Sequence, residues 1–273
     1  MTSGTRELLG VAEEAAAVAR HAIRSSVGEL SVFRKPGVRD LTTELDYRIE
    51  DSVRELLAKE TPGFSVLGEE RGGSRDVSGP MWVIDPIDGT VNFQRGLPLC
   101  GFSIALVDGG SPTIGVIDLP FLDERYTAVR DGGATANGHA IHVSATASME
   151  HASIAVGDFP VDPAADGVGV AHQATLLHSL GRGALRTRML GSAAIDLAWV
   201  ASGKLDASVT LFGKPWDVAA GVLIVQEAHG FAIDLGSAPW TLQSRVVLAT
   251  NRALKDVILS EVQRVEALAV AES

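Results

Sequence analysis

Acidic residues follow an apolar stretch in the segment 82–93, whose sequence is WVIDPIDGTVNF. Asp85 and Asp88 lie on either side of Pro86, whose ring fixes φ and removes one backbone donor, so the chain must turn between them. Gly89 leaves room for backbone N–H groups to approach an anion. Carboxylate and carbonyl oxygens brought together in this way suit Mg²⁺. Because Asp, Pro and Gly also form ordinary turns, this segment alone leaves a purely structural role open.

Two other acidic positions have the same character. Glu69 and Glu70 follow the apolar run 65–68, and Asp217 lies near the start of an apolar stretch after Pro215. A solvated turn would explain the glutamates, and a cap on the positive end of a helix would explain the aspartate. Acids at the ends of several apolar elements are nevertheless typical of functional sites. The sequence therefore favours a site built from carboxylates.

Other kinds of reactive site have weaker support. Cys100 is the one cysteine and lies in an apolar run, which is typical of a small buried side chain and excludes an intramolecular disulfide. His139 and His142 follow an Asn-Gly turn and have no evident third ligand, so we expect no zinc site. The Gly-Lys pair that ends at Lys214 lacks the remaining residues of a nucleotide-binding P-loop.

The elements that must position the acids can be predicted from hydrophobic spacing. Apolar residues recur at helical intervals over 6–26 and again from Thr43 to 57, which predicts two N-terminal helices. Short apolar runs separated by turn pairs over 64–143 predict a sheet of mostly antiparallel hairpins. The later segments predict strands at 152–156 and 207–211 and helices near 167–180, from Ser192 and near 216–228. Together they predict a layered α/β fold.

Length and composition are those of a chain with a large core. The chain has 273 residues, of which 46% are hydrophobic. No linker-like segment divides it, so we expect two subdomains that share a cleft. Residues 1–150 would form an N-terminal α+β subdomain with most of the acids, and residues 151–273 a C-terminal α/β subdomain with Asp217 and one wall of the substrate pocket.

The charge balance narrows the choice of partners. The chain has 34 acidic and 23 basic residues, a net charge of −11, so we expect no broad basic surface for nucleic acid. The acidic residues near the start differ from a signal peptide, and no apolar run approaches the roughly 18 residues that span a membrane. We therefore expect a soluble, cytoplasmic protein with a small-molecule partner and neither a nucleic acid nor a membrane partner.

Three segments carry a resemblance to a known family: Gly68-Glu69-Glu70, Asp85-Pro86-Ile87-Asp88-Gly89-Thr90 and Trp216-Asp217-Val218-Ala219-Ala220-Gly221. Weaker matches are Asp40-Leu41-Thr42-Thr43 with Asp46, and Gly191-Ser192-Ala193. Over nearly its whole length the chain resembles the inositol monophosphatase-like family of Mg²⁺-dependent, lithium-sensitive phosphatases. The resemblance implies an αβαβα sandwich, hydrolysis of a phosphate monoester and a homodimer.

The resemblance also implies a set of metal ligands. One Mg²⁺ would be held by Glu69, Asp85 and the carbonyl of Ile87, and a second by Asp85, Asp88 and Asp217, with Asp85 bridging the two. A third, looser ion would lie at Glu69. Paired metal ions suit phosphoryl transfer because they stabilise both the attacking and the leaving oxygen.

Catalytic and substrate-binding roles follow from the same resemblance. The implied nucleophile is a metal-bound water whose proton is drawn toward Thr90, which Asp46 orients, and Glu69 takes part in catalysis. Lys35 matches a family lysine near the metal loop, although a solvated surface lysine would explain it as well, and Lys35 and Asp40 are candidates to contact the metal ligands. The residues implied in substrate binding are Gly89, Thr90, Gly191, Ser192, Ala193 and Thr210.

Thr210 departs from the family pattern. In inositol-selective members an acidic residue seven positions before the helix aspartate contacts substrate hydroxyls, and in this chain that position is Thr210. Removing a carboxylate costs roughly 1.5–3 kcal/mol of charged hydrogen bonding, so we expect a less charged wall around the leaving alcohol. We therefore expect inositol phosphate to be a poor substrate relative to the best one, hydrolysed as a side activity. Sugar phosphates, histidinol phosphate, nucleoside phosphates and specialised metabolites all stay open.

Hydrolysis of a small phosphate monoester with Mg²⁺ is thus the function that the sequence favours. One alternative is a nucleotide 3′-phosphatase of the same superfamily, although no aromatic cluster for base stacking lies in the motifs. Another is a catalytically silent relative that regulates a partner. Such a relative should have lost a metal ligand, whereas Glu69, Asp85, Asp88 and Asp217 are all present.

Overall fold

A computed structural model of the chain describes residues 2–26, 32–34, 41–73, 78–159, 167–211 and 213–271. These residues form five layers in the order helix, sheet, helix, sheet, helix, which confirms the expected αβαβα sandwich. Three hydrophobic clusters fill the spaces between the layers. No helix in the described ranges is long and apolar enough to cross a membrane.

Two N-terminal helices form the first layer, as predicted. α1 spans Ser3–Ser25, and its buried stripe of small residues ends at Ile23. A short antiparallel ribbon of β1 (Val32–Arg34) and β2 (Leu41–Thr43), which the sequence analysis missed, comes next. α2 spans Glu44–Glu60 and begins with a capping box in which Thr43 and Asp46 bond each other's backbone N–H groups.

The first sheet has seven strands in sequence order. Its strands are β3 (Ser65–Gly68), β4 (Met81–Asp88), β5 (Gly101–Asp108), β6 (Ser111–Leu119), β7 (Glu124–Val129), β8 (Gly133–Ala136) and β9 (His139–Ala140). The β3–β4 pair is parallel and the others are antiparallel, so the predicted run of hairpins is confirmed. A short helix, α3 (Thr90–Gln94), follows β4 directly.

The second half forms a five-stranded sheet between two helical layers. Its elements are β10 (Ser153–Val156), α4 (Gly167–Gly183), β11 (Arg186–Arg188), α5 (Ala193–Ala201), β12 (Ala207–Thr210), α6 (Pro215–Glu227), β13 (Phe231–Ile233), β14 (Val247–Thr250) and α7 (Lys255–Ala271). The strand order is β11-β10-β12-β14-β13, with β10 parallel to both of its neighbours. The polar strand β11, the short β13, β14 and the terminal helix α7 were not predicted.

The middle layer, α5 and α6, connects the two sheets. Both helices are buried on nearly all sides and share one cluster with inward residues of each sheet. A Cβ atom on Gly115 of β6 would lie 2.7 Å from the carbonyl oxygen of Ala220 in α6, so this close approach requires glycine. The middle layer brings the N-termini of α5 and α6 to the end of β4 where the predicted acids lie.

Candidate active site

Asp85 is the central acid of the candidate site. It pairs with Ser103 of β5, and the ladder then shifts register before Asp88. The predicted turn between Asp85 and Asp88 is therefore wrong, because β4 continues through Asp88 with an irregularity at the proline. Asp85 is only 1% exposed, and its Oδ1 atom has no hydrogen-bond partner in the described part of the chain. Since a buried acceptor without a donor is costly, this oxygen is suited to a ligand that the chain itself does not supply.

Four other acids act electrostatically on Asp85. Burial raises the pKa of Asp85 well above its usual range, and the negative charges of Glu69, Asp88, Asp217 and Asp46 raise it further. These acids come from the turn after β3, from β4, from α6 and from α2. The fold therefore brings together acids that lie far apart in the sequence.

Hydrogen bonds of Asp88 connect the end of β4 to the start of α5. Its Oδ2 atom accepts hydrogen bonds from Ser192 Oγ and from the backbone N–H of Ala194, both at 2.6 Å. Burial raises the pKa of Asp88 to about 6, although these hydrogen bonds oppose the shift. The predicted segment Gly191-Ser192-Ala193 thus lies beside the acids, and Ser192 also caps α5.

Asp217 lies in the first turn of α6. Its Oδ2 atom accepts a hydrogen bond from the backbone N–H of Lys214 at 2.8 Å, so Asp217 does act as the helix cap considered above. Part of the residue is exposed, but its carboxyl group is desolvated, which raises its pKa well above the usual range. The negative charges of Asp88 and Glu69 raise the pKa further. Asp217 can therefore cap α6 and also belong to the group of acids around Asp85.

Thr90 stands between Asp46 and the carbonyl of Ile87. Its hydroxyl donates to the Ile87 oxygen at 2.9 Å and lies 3.5 Å from Asp46 Oδ1, which is a long contact. Asp46 is fully buried, and its Oδ2 atom accepts from the backbone N–H of Thr43 at 2.8 Å. Burial raises the pKa of Asp46 to about 6, against the effect of the Thr43 hydrogen bonds.

Gly89 packs against the segment that precedes α5. It has φ +85°, and a Cβ atom there would lie 2.7 Å from the Leu99 carbonyl oxygen and 3.2 Å from that of Gly191. The side-chain amide of Asn92 holds the same region by donating to Leu99 O at 2.8 Å and to Leu190 O at 2.7 Å. Two of the predicted substrate-binding segments are therefore side by side.

The turn that carries Glu69 rests on a residue that sequence reasoning did not identify. Glu50 of α2 is fully buried and accepts hydrogen bonds from the backbone N–H groups of Glu70 and Arg71. An acid on the buried face of a predicted amphipathic helix was the available signal. Two predicted residues, Lys35 and Asp40, lie outside the described residues.

Thr210, the residue that the sequence analysis expects in the wall around the leaving alcohol, is the last residue of β12. Thr210 is 8% exposed, and its hydroxyl has no partner among the described residues. Across from it lies Gly157, whose backbone N–H bonds Val209 O at 2.9 Å. The next residue, Asp158, is exposed, and its negative charge contributes to the raised pKa of Asp88.

Asp158 is an acid near Thr210, where the sequence analysis expects a less charged wall. The sequence analysis did not identify this residue, although an acid shortly after the predicted strand 152–156 was a usable signal. A second overlooked acid, Asp196 of α5, is 2% exposed, and its Oδ1 atom has no partner among the described residues. Burial raises the pKa of Asp196 well above the usual range, and the negative charges of Asp88 and Asp158 raise it further.

The acids fit a hard cation in chemical type. Within the described ranges, no group of three or more His, Cys, Asp or Glu side chains is arranged to hold a metal ion. Asp88 and Asp217 each accept hydrogen bonds from donors of the chain itself. The available donors are nevertheless oxygens, which Mg²⁺ prefers, and Asp85 adds its buried oxygen without a partner. A bound cation would offset the repulsion that raises the pKa of Asp85.

The residues set aside from the sequence do not enter this group. Cys100 is fully buried, and burial raises the pKa of its thiol to about 12, which makes it a poor nucleophile. His139 and His142 are exposed, and the ring of His142 stacks on that of His229 at a centroid distance of 5.2 Å.

Comparison with known proteins decides the family. The family model described as "Inositol monophosphatase family" matches residues 5–267. The chain belongs to the inositol monophosphatase family. It is therefore a phosphoric monoester hydrolase, and members of this family are generally metal-dependent.

Relatives in the family match most of the chain. "Inositol monophosphatase 1" of Solanum lycopersicum is 36% identical over 262 residues, with 94% of this chain and 95% of the relative covered. "Probable inositol 1-monophosphatase ImpA" of Mycobacterium tuberculosis is 41% identical over 219 residues, with 80% of each covered. The solved structure of an inositol monophosphatase from Anabaena has a TM-score of 0.85 at 30% identity and covers 96% of this chain and 97% of its own.

Proposed function

We propose that this phosphatase hydrolyses a small phosphate monoester with two or three Mg²⁺ ions, and that Glu69, Asp85, the Ile87 carbonyl, Asp88 and Asp217 hold them. The observation that carries the proposal is the buried Oδ1 atom of Asp85, which lacks a donor and lies within the field of the other acids. A cation is the partner that such an oxygen lacks.

The reaction is the attack of water on phosphorus with loss of the alcohol. The new bond joins the water oxygen to phosphorus, and the ester bond to the alcohol oxygen breaks. That oxygen takes up a proton from solvent, and the proton lost by the attacking water returns to solvent, so inorganic phosphate and the alcohol leave. When bound, Mg²⁺ supplies activation of the water and stabilises the charge on the transferred phosphoryl group. The chain itself must hold the phosphate, accept the water proton and distinguish one alcohol from another.

Thr90 and Asp46 are suited to move the proton. Thr90 Oγ1 takes the proton lost by the water and passes its own to Asp46 Oδ1, which lies 3.5 Å away. Asp46 is a suitable acceptor because its raised pKa of about 6 lies close to neutral pH. Glu69 contributes its charge beside the attacking water.

Backbone N–H groups are proposed to hold the phosphate. Gly89 and Thr90 lie next to Gly191 across the close contact described above, and Ser192 and Ala193 begin α5 there. α3 has only five residues, so local N–H groups rather than the dipole of a long helix would account for binding at Gly89 and Thr90.

The leaving alcohol is proposed to carry hydroxyl groups. Asp158 and Thr210 present a carboxylate and an unpartnered hydroxyl on the neighbouring strand ends β10 and β12. Both are acceptors for hydroxyl donors, and the relatives above are named as inositol monophosphatases. An inositol phosphate is therefore among the proposed substrates, although its carboxylate contact would come from Asp158 rather than from position 210.

Three further properties rest on the family resemblance. We propose a homodimer, a cytoplasmic location and inhibition by Li⁺, which would compete for an oxygen-lined Mg²⁺ position with one charge fewer. The retained acids support an active enzyme rather than a silent binding protein.

A panel of phosphate esters tests the proposed function. Phosphate release should be measured with Mg²⁺ on inositol, sugar, histidinol, nucleoside 3′- and p-nitrophenyl phosphates, with Asp85→Asn as the inactive control. We expect the best kcat/KM with a polyol or sugar phosphate. A clear preference for the nucleoside 3′-phosphate would instead support the nucleotide phosphatase, and no release from any ester would support the silent relative.

A further inference from the structure

The turn that follows β3 is held in place by hydrogen bonds to one buried carboxylate of α2. In this turn the backbone N–H of Glu69 bonds Ile84 O of β4 at 3.2 Å, and that of Gly68 bonds Gly72 O at 3.0 Å. The next backbone donors, those of Glu70 and Arg71, both point to α2.

Glu50 accepts both of these donors. Its Oε2 atom accepts from Glu70 N at 2.8 Å and its Oε1 atom from Arg71 N at 3.1 Å. Glu50 is fully buried, so its charge needs a partner. Arg54, one helical turn later, supplies it through its Nε atom at 2.8 Å and also donates to the carbonyl of Gly72.

Gly68 leaves the space that this carboxylate occupies. A Cβ atom on Gly68 would overlap the Glu50 carboxylate, so a larger residue would push Glu50 away from the turn. A neighbouring pair makes a useful contrast, because Asp51 and Arg71 also connect α2 to this turn, at 2.6 Å, but both side chains are exposed. This pair is bidentate, with Arg71 Nε also 2.8 Å from Asp51 Oδ1, but solvent screens it, and it makes no hydrogen bond to the backbone N–H groups of the turn.

We infer that Glu50, held by Arg54, is a positioning residue that fixes Glu69 for metal binding. The inference rests on the proposed function, in which Glu69 is a metal ligand. Fixing the backbone of Glu70 and Arg71 fixes the neighbouring Cα of Glu69, so less order has to be gained when a cation binds. The carboxylate of Glu50 accepts hydrogen bonds from two backbone amides and from the guanidinium group, and its negative charge strengthens all three. A neutral side chain at position 50 would lack that charge.

Mn²⁺ binding by the full-length, metal-stripped protein tests this inference. Free Mn²⁺ should be measured by electron paramagnetic resonance for wild type, Glu50→Gln and the control Asp51→Asn, and unfolding temperatures should be measured without metal. We expect Glu50→Gln to bind Mn²⁺ about tenfold more weakly, while Asp51→Asn binds like wild type. At saturating Mg²⁺, kcat of Glu50→Gln should stay within about twofold of wild type, because the reacting groups are intact.

A purely structural role for Glu50 would lower the unfolding temperature without changing the Mn²⁺ affinity of the folded protein. That result would overturn the inference. Gly68→Ala and Arg54→Lys disturb the same carboxylate from two other sides, and they replace Glu50→Gln if it does not fold. Wild-type affinity in every folded variant would contradict the inference, whereas a wild-type protein that binds no Mn²⁺ would contradict the proposed function itself.

Discussion

The proposed metal side and the proposed alcohol side of the site differ in how their polar atoms are held. On the metal side, Asp88 and Asp217 are fixed by donors of the chain itself, around the buried oxygen of Asp85. On the proposed alcohol side, the hydroxyl of Thr210 has no partner among the described residues, and Asp158 is exposed. The protein itself therefore holds the acids of the proposed metal side in place. On the proposed alcohol side, hydroxyl groups of the bound alcohol would supply some of the missing hydrogen-bond partners.

The largest expected effect is that of Asp85→Asn. Removing the charge at the centre of the acids should lower kcat by roughly ten-thousandfold, since several kcal/mol of metal-dependent stabilisation are lost. The metal-free variant should unfold at a higher temperature than wild type, because the repulsion around Asp85 is relieved. Asp256→Asn, which removes the charge of an exposed side chain at the start of α7, is the control. Activity of Asp85→Asn close to wild type would refute the metal assignment.

Thr90→Val should have the next largest effect. Loss of the hydroxyl removes the proposed proton path to Asp46, and general acid–base contributions suggest a fall in kcat of about a thousandfold. Thr90→Ser keeps the hydroxyl and should retain most of the activity. Equal activities of the Val and Ser variants in phosphate-release assays would rule out a proton role for this side chain.

Titration of Asp46 gives a prediction for stability. Burial raises its pKa from 3.8 to about 6, so the folded state holds this proton more tightly than the unfolded state. Metal-free protein should therefore lose stability as the pH rises from about 4 to about 6, by up to about 3 kcal/mol from this group, and the loss is complete above that range.

Asp46→Asn removes this titration. The free energy of unfolding should be measured with urea in EDTA for both proteins. As the pH rises through the same interval, the value for Asp46→Asn should increase relative to that of wild type. A difference between the two proteins that does not vary with pH would show that Asp46 has an ordinary pKa.

The smallest effect is expected on the alcohol side. Asp158→Asn should lower kcat/KM for a polyol phosphate about tenfold, the loss expected for one charged hydrogen bond. It should leave p-nitrophenyl phosphate unchanged, because that leaving group has no further hydroxyl. Equal losses with both esters would place Asp158 on the metal side instead, and no loss with either would exclude it from the pocket.

The contrast between the two sides also explains what the sequence could predict. Asp85 and Asp88 lie in one short segment, so local residue types and spacing made them candidate ligands, although that segment alone left a structural role open. The amphipathic pattern of α1 and α2 was equally local. Glu50 and Asp158 have no such motif. Their positions depend on α2 packing under a turn and on β10 lying beside β12, which are contacts between distant segments.

Helix ends were predictable for a similar reason. Ser192 and Thr43 are good N-cap residues, and the structure has α5 and α2 beginning directly after them. The second bond of Ser192, to Asp88, joins residues 104 positions apart. No local pattern could predict it.

Metal dependence of phosphate release tests the central claim most directly. Wild-type protein stripped with EDTA should be assayed on its best phosphate ester while Mg²⁺ is added back. We predict no release in excess EDTA and recovery of full activity as Mg²⁺ is restored, with no recovery in Asp85→Asn. Full activity of wild type in excess EDTA would contradict the account.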